Sequence, residues 1–275
     1  MLKWQESFQS ILKKVETKYN HSFSRKEIFP VTSKRLLAIM GLNILGAALF
    51  LSWFLLPQHG FWFSLDRDIF YFFNNLIAES KAFLYLVAVT NFRAFDTVAF
   101  IFMAAILFAY FREEDAPGKR RLFAMGIAML LSVVLVKLVD NRLGIDRLSA
   151  SAYFASLHEP VHFVSKMTGW TIKDRSARSF PGDHGMCLLI FTAFMGRYLG
   201  RKAFLSGLAV FFVFSLPRIM SGAHWFTDVA VGSLSIVLVT MSWVLLTPLS
   251  DKVIAWLEPK LPLKFFEKID TLIHP

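Results

Sequence analysis

The chain has 275 residues, of which 55% are hydrophobic, 16% aromatic and only 18% charged. A soluble domain of this length carries more charge, so the composition excludes an ordinary water-soluble globule and points to an all-α, polytopic membrane protein. The formal charge of +10 suits basic membrane-proximal loops and anionic lipid; no interleaved aromatic and basic pattern suggests a nucleic-acid partner.

The first 35 residues place Trp4, Phe8, Ile11, Leu12, Val15 and Tyr19 at helical spacing, with Lys13, Lys14 and Lys18 between them. This predicts an amphipathic helix on the cytoplasmic surface. A soluble helix packed on the loops fits the same spacing. The first apolar run starts near Leu36 with no small-residue cleavage site after it, so no cleavable signal peptide is expected. Six spans follow, over 36–56, 94–111, 122–141, 185–199, 203–219 and 228–247. Each roughly matches ~30 Å of hydrocarbon at ~1.5 Å per residue, the fourth and fifth being short. Segment 68–91 is apolar and aromatic but broken by Asn74, Asn75, Glu79, Ser80 and Lys81, which predicts an interfacial or partly re-entrant helix. The chain thus divides into an N-terminal segment 1–35, a six-helix membrane domain 36–250 and a tail 251–275 that resembles the N-terminal segment in character. The single cysteine, Cys187, permits no intramolecular disulfide.

Lysine and arginine set the orientation. Residues 1–35, the turn at 112–121, the turn at Arg197, Arg201 and Lys202, and the tail are all basic. Six spans put these four on one side, and the positive-inside rule makes that side cytoplasmic, with both termini there. The segments 57–93, 142–184 and 220–227 then face outward. His184 and His224 fall at outer span ends, so two motifs far apart in sequence are expected on one membrane face.

Those motifs are Pro181-Gly182-Asp183-His184 and Arg218-x5-His224-x3-Asp228. His224 and Asp228 are four apart, within reach of each other on one helical face. A carboxylate on one imidazole nitrogen fixes the tautomer and frees the other nitrogen to attack. A guanidinium such as Arg218, closing the fifth span after Pro217, holds two phosphate oxygens at once. Gly222 permits the tight return between Arg218 and His224. His184, at the start of the fourth span, is placed to protonate a leaving oxygen. Singly, each has a plainer reading: histidine as polar anchor, arginine snorkelling to headgroups, aspartate as cap. Their joint spacing on one face favours chemistry.

The same residues resemble the second and third signatures of the type 2 phosphatidic acid phosphatases, integral membrane enzymes of six helices. The resemblance implies His224 as nucleophile, Asp228 as its orienting partner, Arg218 as phosphate ligand and His184 as general acid, with no metal and no other cofactor. The chain departs from the pattern in three places. Pro217 replaces a serine, Gly182-Asp183 replaces Ser-Gly, and the first signature, Lys-x6-Arg-Pro, is degenerate. Arg147 is the best substitute for its arginine, with Arg142 and Lys137 behind it; Lys137 also suits a snorkelling span end.

Four runs are similar to one bacterial branch of that family: Ile69-Phe70-Tyr71-Phe72-Phe73-Asn74, Ser179 to Met186, Gly222 to Asp228, and Trp243 to Asp251. That branch moves phosphate from undecaprenyl pyrophosphate to the 1-phosphate of lipid A, on the periplasmic face of the inner membrane. The resemblance therefore implies a lipid diphosphate donor, a lipid A acceptor and contact with membrane lipids. The same residues would serve a phosphatase of undecaprenyl pyrophosphate or phosphatidylglycerol phosphate. A lipid-phosphate transporter or scaffold would need a charged path through the bundle, which most spans lack. Asp183 stands where the family has glycine, directly before His184. Its charge is expected to favour the protonated imidazole and bias the reaction from water toward a lipid phosphate; its plainer reading is a helix cap.

Overall fold

The computed structural model describes residues 31–92 and 94–274. The amphipathic helix expected from Trp4 to Tyr19 lies outside the described residues. The rest is helical, with one isolated bridge between Phe92 and Ile172 and no strand among the described residues.

The first helix, α1, runs Ser33–Phe54 and is capped by the Thr32 hydroxyl. Then come α2 (Phe61–Glu79), α3 (Lys81–Thr90), α4 (Ala94–Glu113) and α5 (Ala116–Leu143). Two short helices, α6 (Ala150–Ser156) and α7 (Val164–Thr168), sit in the long connection to α8 (Asp183–Leu199). The last two long helices are α9 (Arg201–Met220) and α10 (Asp228–Leu246), which opens with a π-helical turn over Asp228–Ser233. The tail forms α11 (Leu249–Leu257) and α12 (Leu263–Ile273).

Among the described residues five helices, α1, α4, α5, α9 and α10, are long and apolar enough to cross a bilayer. The interrupted segment is the α2–α3 pair, bent by 116°, a broken span or re-entrant loop. The bend is local: Ser80 is extended and its hydroxyl accepts the Phe83 amide, so one helix stops and the next begins. The short fourth span of the sequence, α8, has 17 residues, about 26 Å at ~1.5 Å per residue.

Helices in lipid gain little from hiding apolar surface from one another, so small residues and polar pairs set their contacts. A Cβ on Gly207 of α9 would stand 2.9 Å from the Cα of Thr192 on α8. On α8, a Cβ at Gly185 would meet Ser233 of α10 at 2.7 Å. Between α1 and α10, Asn43 donates to Ser242 (2.8 Å) and accepts from the Trp243 indole (3.1 Å). The exception is α4, in which only Ala99 is buried; it lies along the outside of the bundle.

Successive helices alternate in direction. The starts of α4, α8 and α10 and the ends of α5 and α9 therefore share one end. The tail folds back at the other, where Arg197 pairs with Asp251 (3.0 Å) and the Tyr198 hydroxyl donates to Asp251 (2.9 Å) and bonds the Ser250 hydroxyl (2.7 Å). Phe266 is buried against Phe111 and Phe123. Lys119 pairs with Asp270 at 2.5 Å and holds that carboxyl below the usual carboxylate range. The tail thus packs on the protein itself, because its apolar face meets the start of α5.

Candidate active site

At the shared end, the last turn of α9 carries Pro217 and Arg218. The Asn91 amide donates to the Pro217 carbonyl at 2.8 Å and steadies this last turn. The chain then reverses at Gly222, whose φ of +72° is open to glycine; a Cβ there would also press to 2.7 Å from the Phe70 ring. The reversal brings the His224 amide onto the Arg218 carbonyl at 3.1 Å.

His224 Nδ1 lies 2.9 Å from the Ser179 carbonyl and 3.3 Å from Asp228 Oδ2. A carbonyl and a carboxylate only accept, so Nδ1 carries the hydrogen and Nε2 keeps its lone pair. The loop of the first motif therefore helps orient the histidine of the second. Asp228 is fully buried. Its Oδ2 also accepts the Trp225 amide (2.9 Å), and its Oδ1 accepts from Arg147 (2.8 Å).

Arg147 stands behind this pair. One guanidinium nitrogen donates to Asp228 and Thr227, and the other to Asp66, each at 2.8 Å. Its plane lies over the rings of Trp225 and Trp53, 4.5 and 5.3 Å from their centroids. Asp66, buried on α2, also accepts the Thr227 amide (2.9 Å) and hydroxyl (2.5 Å). A chain of hydrogen bonds thus runs from Asp66 through Arg147 and Asp228 to His224. The guanidinium expected from the sequence at phosphate is engaged with carboxylates on the far side of Asp228.

Arg218 and His184 meet at one carboxylate. Asp96, in the first turn of α4, accepts from Arg218 at 2.5 Å and from His184 Nε2 at 2.9 Å, both through Oδ1. Lys137 pairs with Asp140 (2.8 Å) and with Asp183 (2.5 Å). Asp183 therefore directs its charge to Lys137 and is the first residue of α8, the cap position being that of Gly182; the carboxylate on His184 is that of Asp96. Arg142 is exposed in the last turn of α5, and among the described residues no hydrogen bond or ion pair joins it to this centre.

Two apolar grooves flank the centre. One, of about 730 Å³, runs between α4, α5 and α8, from Asp96, Asp183 and His184 down to Phe111 and Leu122. The other, of about 780 Å³, lies between α2, α9 and α10, bounded by Phe72, Phe212, Ile219, Phe226 and Val229. Sequence reasoning did not single out Asp96, Asp66 or Asn91. An acid within an apolar span was the available signal for Asp96; for the other two, only tertiary contact reveals the role.

Charged groups gathered at one end of an apolar bundle, with grooves that suit hydrocarbon chains on either side, define a membrane enzyme acting on lipid phosphates. No family model and no solved structure matches the chain. It is 49% identical over 230 residues, 83% of its own length and 95% of the relative's, to the lipid A 1-diphosphate synthase of Escherichia coli strain K12. The chain belongs to the lipid A 1-diphosphate synthase family.

Proposed function

We propose that the protein transfers the terminal phosphoryl group of undecaprenyl pyrophosphate to the 1-phosphate of lipid A, through a phosphohistidine on His224. The observation that carries this reading is the position of His224 Nδ1 against two acceptors, the Ser179 carbonyl and the Asp228 carboxylate. With Nδ1 so held, Nε2 is the nitrogen left to act as nucleophile. Nε2 attacks the terminal phosphorus, and the bridging P–O bond breaks. His184 gives its proton to the departing undecaprenyl phosphate. An oxygen of the lipid A 1-phosphate then attacks the same phosphorus, the N–P bond breaks, and His184 takes up the proton that the attacking phosphate gives up. Arg218 holds the phosphoryl oxygens as charge spreads over them.

Arg147, expected as a second phosphate ligand, serves this reading from behind by fixing Asp228. Lys137 pairs with Asp183, the residue before His184. A role for Asp183 in favouring lipid phosphate over water then runs through its pairing with Lys137. Two lipid substrates call for two places to lay their chains, and the two grooves support that requirement.

The decisive assay is purified protein with undecaprenyl pyrophosphate, with and without lipid A, following the phosphate. Transfer to lipid A with little free phosphate is the expected result. Free phosphate as the sole product would make the protein a phosphatase.

The active end is proposed to face the periplasm of the bacterial inner membrane, with both termini cytoplasmic. In a background lacking Cys187, a cysteine at the exposed Lys166, on the active-site end, should react with a membrane-impermeant thiol reagent in intact spheroplasts. One at the exposed Glu113, on the opposite end, should react only after lysis. Reversed labelling would put the active site in the cytoplasm.

A further inference from the structure

We propose that Asp96 is a built-in stand-in for the substrate phosphoryl group. It occupies the donors of Arg218 and His184 before substrate binds and is displaced when the donor arrives. The inference rests on the reading of Arg218 and His184 as the phosphate-handling pair. A single oxygen, Asp96 Oδ1, accepts from both, at 2.5 and 2.9 Å. A tetrahedral phosphoryl group attacked by His224 needs those same two donors. A carboxylate and a phosphate compete for them, because both bind the same donors and two anions in contact repel.

The position of Asp96 gives the displacement a purpose. It lies in the first turn of α4, the least buried spanning helix, and at the head of the 730 Å³ groove beside His184. Its bonds to Arg218 on α9 and His184 on α8 hold the start of α4 over the active-site end of that groove. When phosphate takes the two donors, the latch is released, and the groove widens to admit the lipid chain that follows. The carboxylate also keeps Arg218 paired between turnovers, so the cation attracts only anions able to outcompete an attached carboxylate.

Inorganic phosphate is the probe, titrated calorimetrically into the purified full chain. Asp96→Asn and Asp96→Ala should each bind it about tenfold more tightly than wild type, the scale of one charge-assisted hydrogen-bonded pair. Arg218→Ala should lose most of the binding. Unchanged or weaker binding in both Asp96 variants, with binding still lost in Arg218→Ala, would overturn the latch and leave the phosphate site standing. Unchanged binding in Arg218→Ala would remove the phosphate site and the latch with it. A second measurement keeps Asp96 intact. Spin labels at Phe100 and Leu130, exposed residues that both line the groove, should separate when phosphate is added. A fixed distance at saturating phosphate would also overturn the latch.

Discussion

Replacing His224 with alanine is expected to abolish both transfer to lipid A and release of free phosphate, by about 10⁴–10⁶-fold, as for loss of a nucleophile that acts as a unit with its partners. The reason is chemical: with Nδ1 occupied by Ser179 and Asp228, the imidazole offers one attacking atom, and alanine offers none. Replacing His184 should instead slow turnover by ~10²–10⁴-fold, since proton transfer to the leaving oxygen becomes poorer without being eliminated. Wild-type protein given undecaprenyl pyrophosphate alone should carry an acid-labile phosphate. A folded His224→Ala protein that still turns over substrate, or still becomes labelled, would exclude the covalent route.

The second large effect is expected at Arg147. Its guanidinium lies between Asp66 and Asp228, both buried. Arg147→Ala leaves two carboxylates near each other with no counter-charge, and removing one partner of a buried ion pair costs about 3–5 kcal/mol. Thermal unfolding in detergent should show a clear drop in Tm together with loss of activity. Arg147→Lys keeps the charge but cannot reach Asp228, Thr227 and Asp66 with one planar group. It should recover part of the Tm while activity stays low. The two roles considered for this residue separate cleanly. A phosphate ligand lost from the surface of the site would weaken inorganic phosphate binding at unchanged Tm, whereas the buried clamp would lower Tm first.

The sequence by itself was enough for the class, the order of the helices and the histidine motifs. Apolar runs long enough to cross hydrocarbon leave few alternatives to a helical bundle, since lipid offers no partner for bare backbone. Spacing put His224 and Asp228 within reach, although they meet across the turn that precedes α10 and not on one helical face, and Gly222 marked the reversal that lets Arg218 approach. The interruptions at Asn74, Asn75 and Glu79 marked a segment that does not run straight through, and the structure bends there. Tertiary structure alone decided which charge meets which. Arg147 and Asp66 are 81 positions apart, Asp96 and Arg218 are 122 apart, and Lys137 and Asp183 are 46 apart. No local period connects residues so distant. From sequence, Asp183 was the carboxylate assigned to His184 because it is its neighbour in the chain. In space Asp183 turns to Lys137, and Asp96 takes its place on the imidazole. The reason is geometric: adjacent residues on a helix point about 100° apart, whereas helices packed side by side bring their terminal side chains face to face.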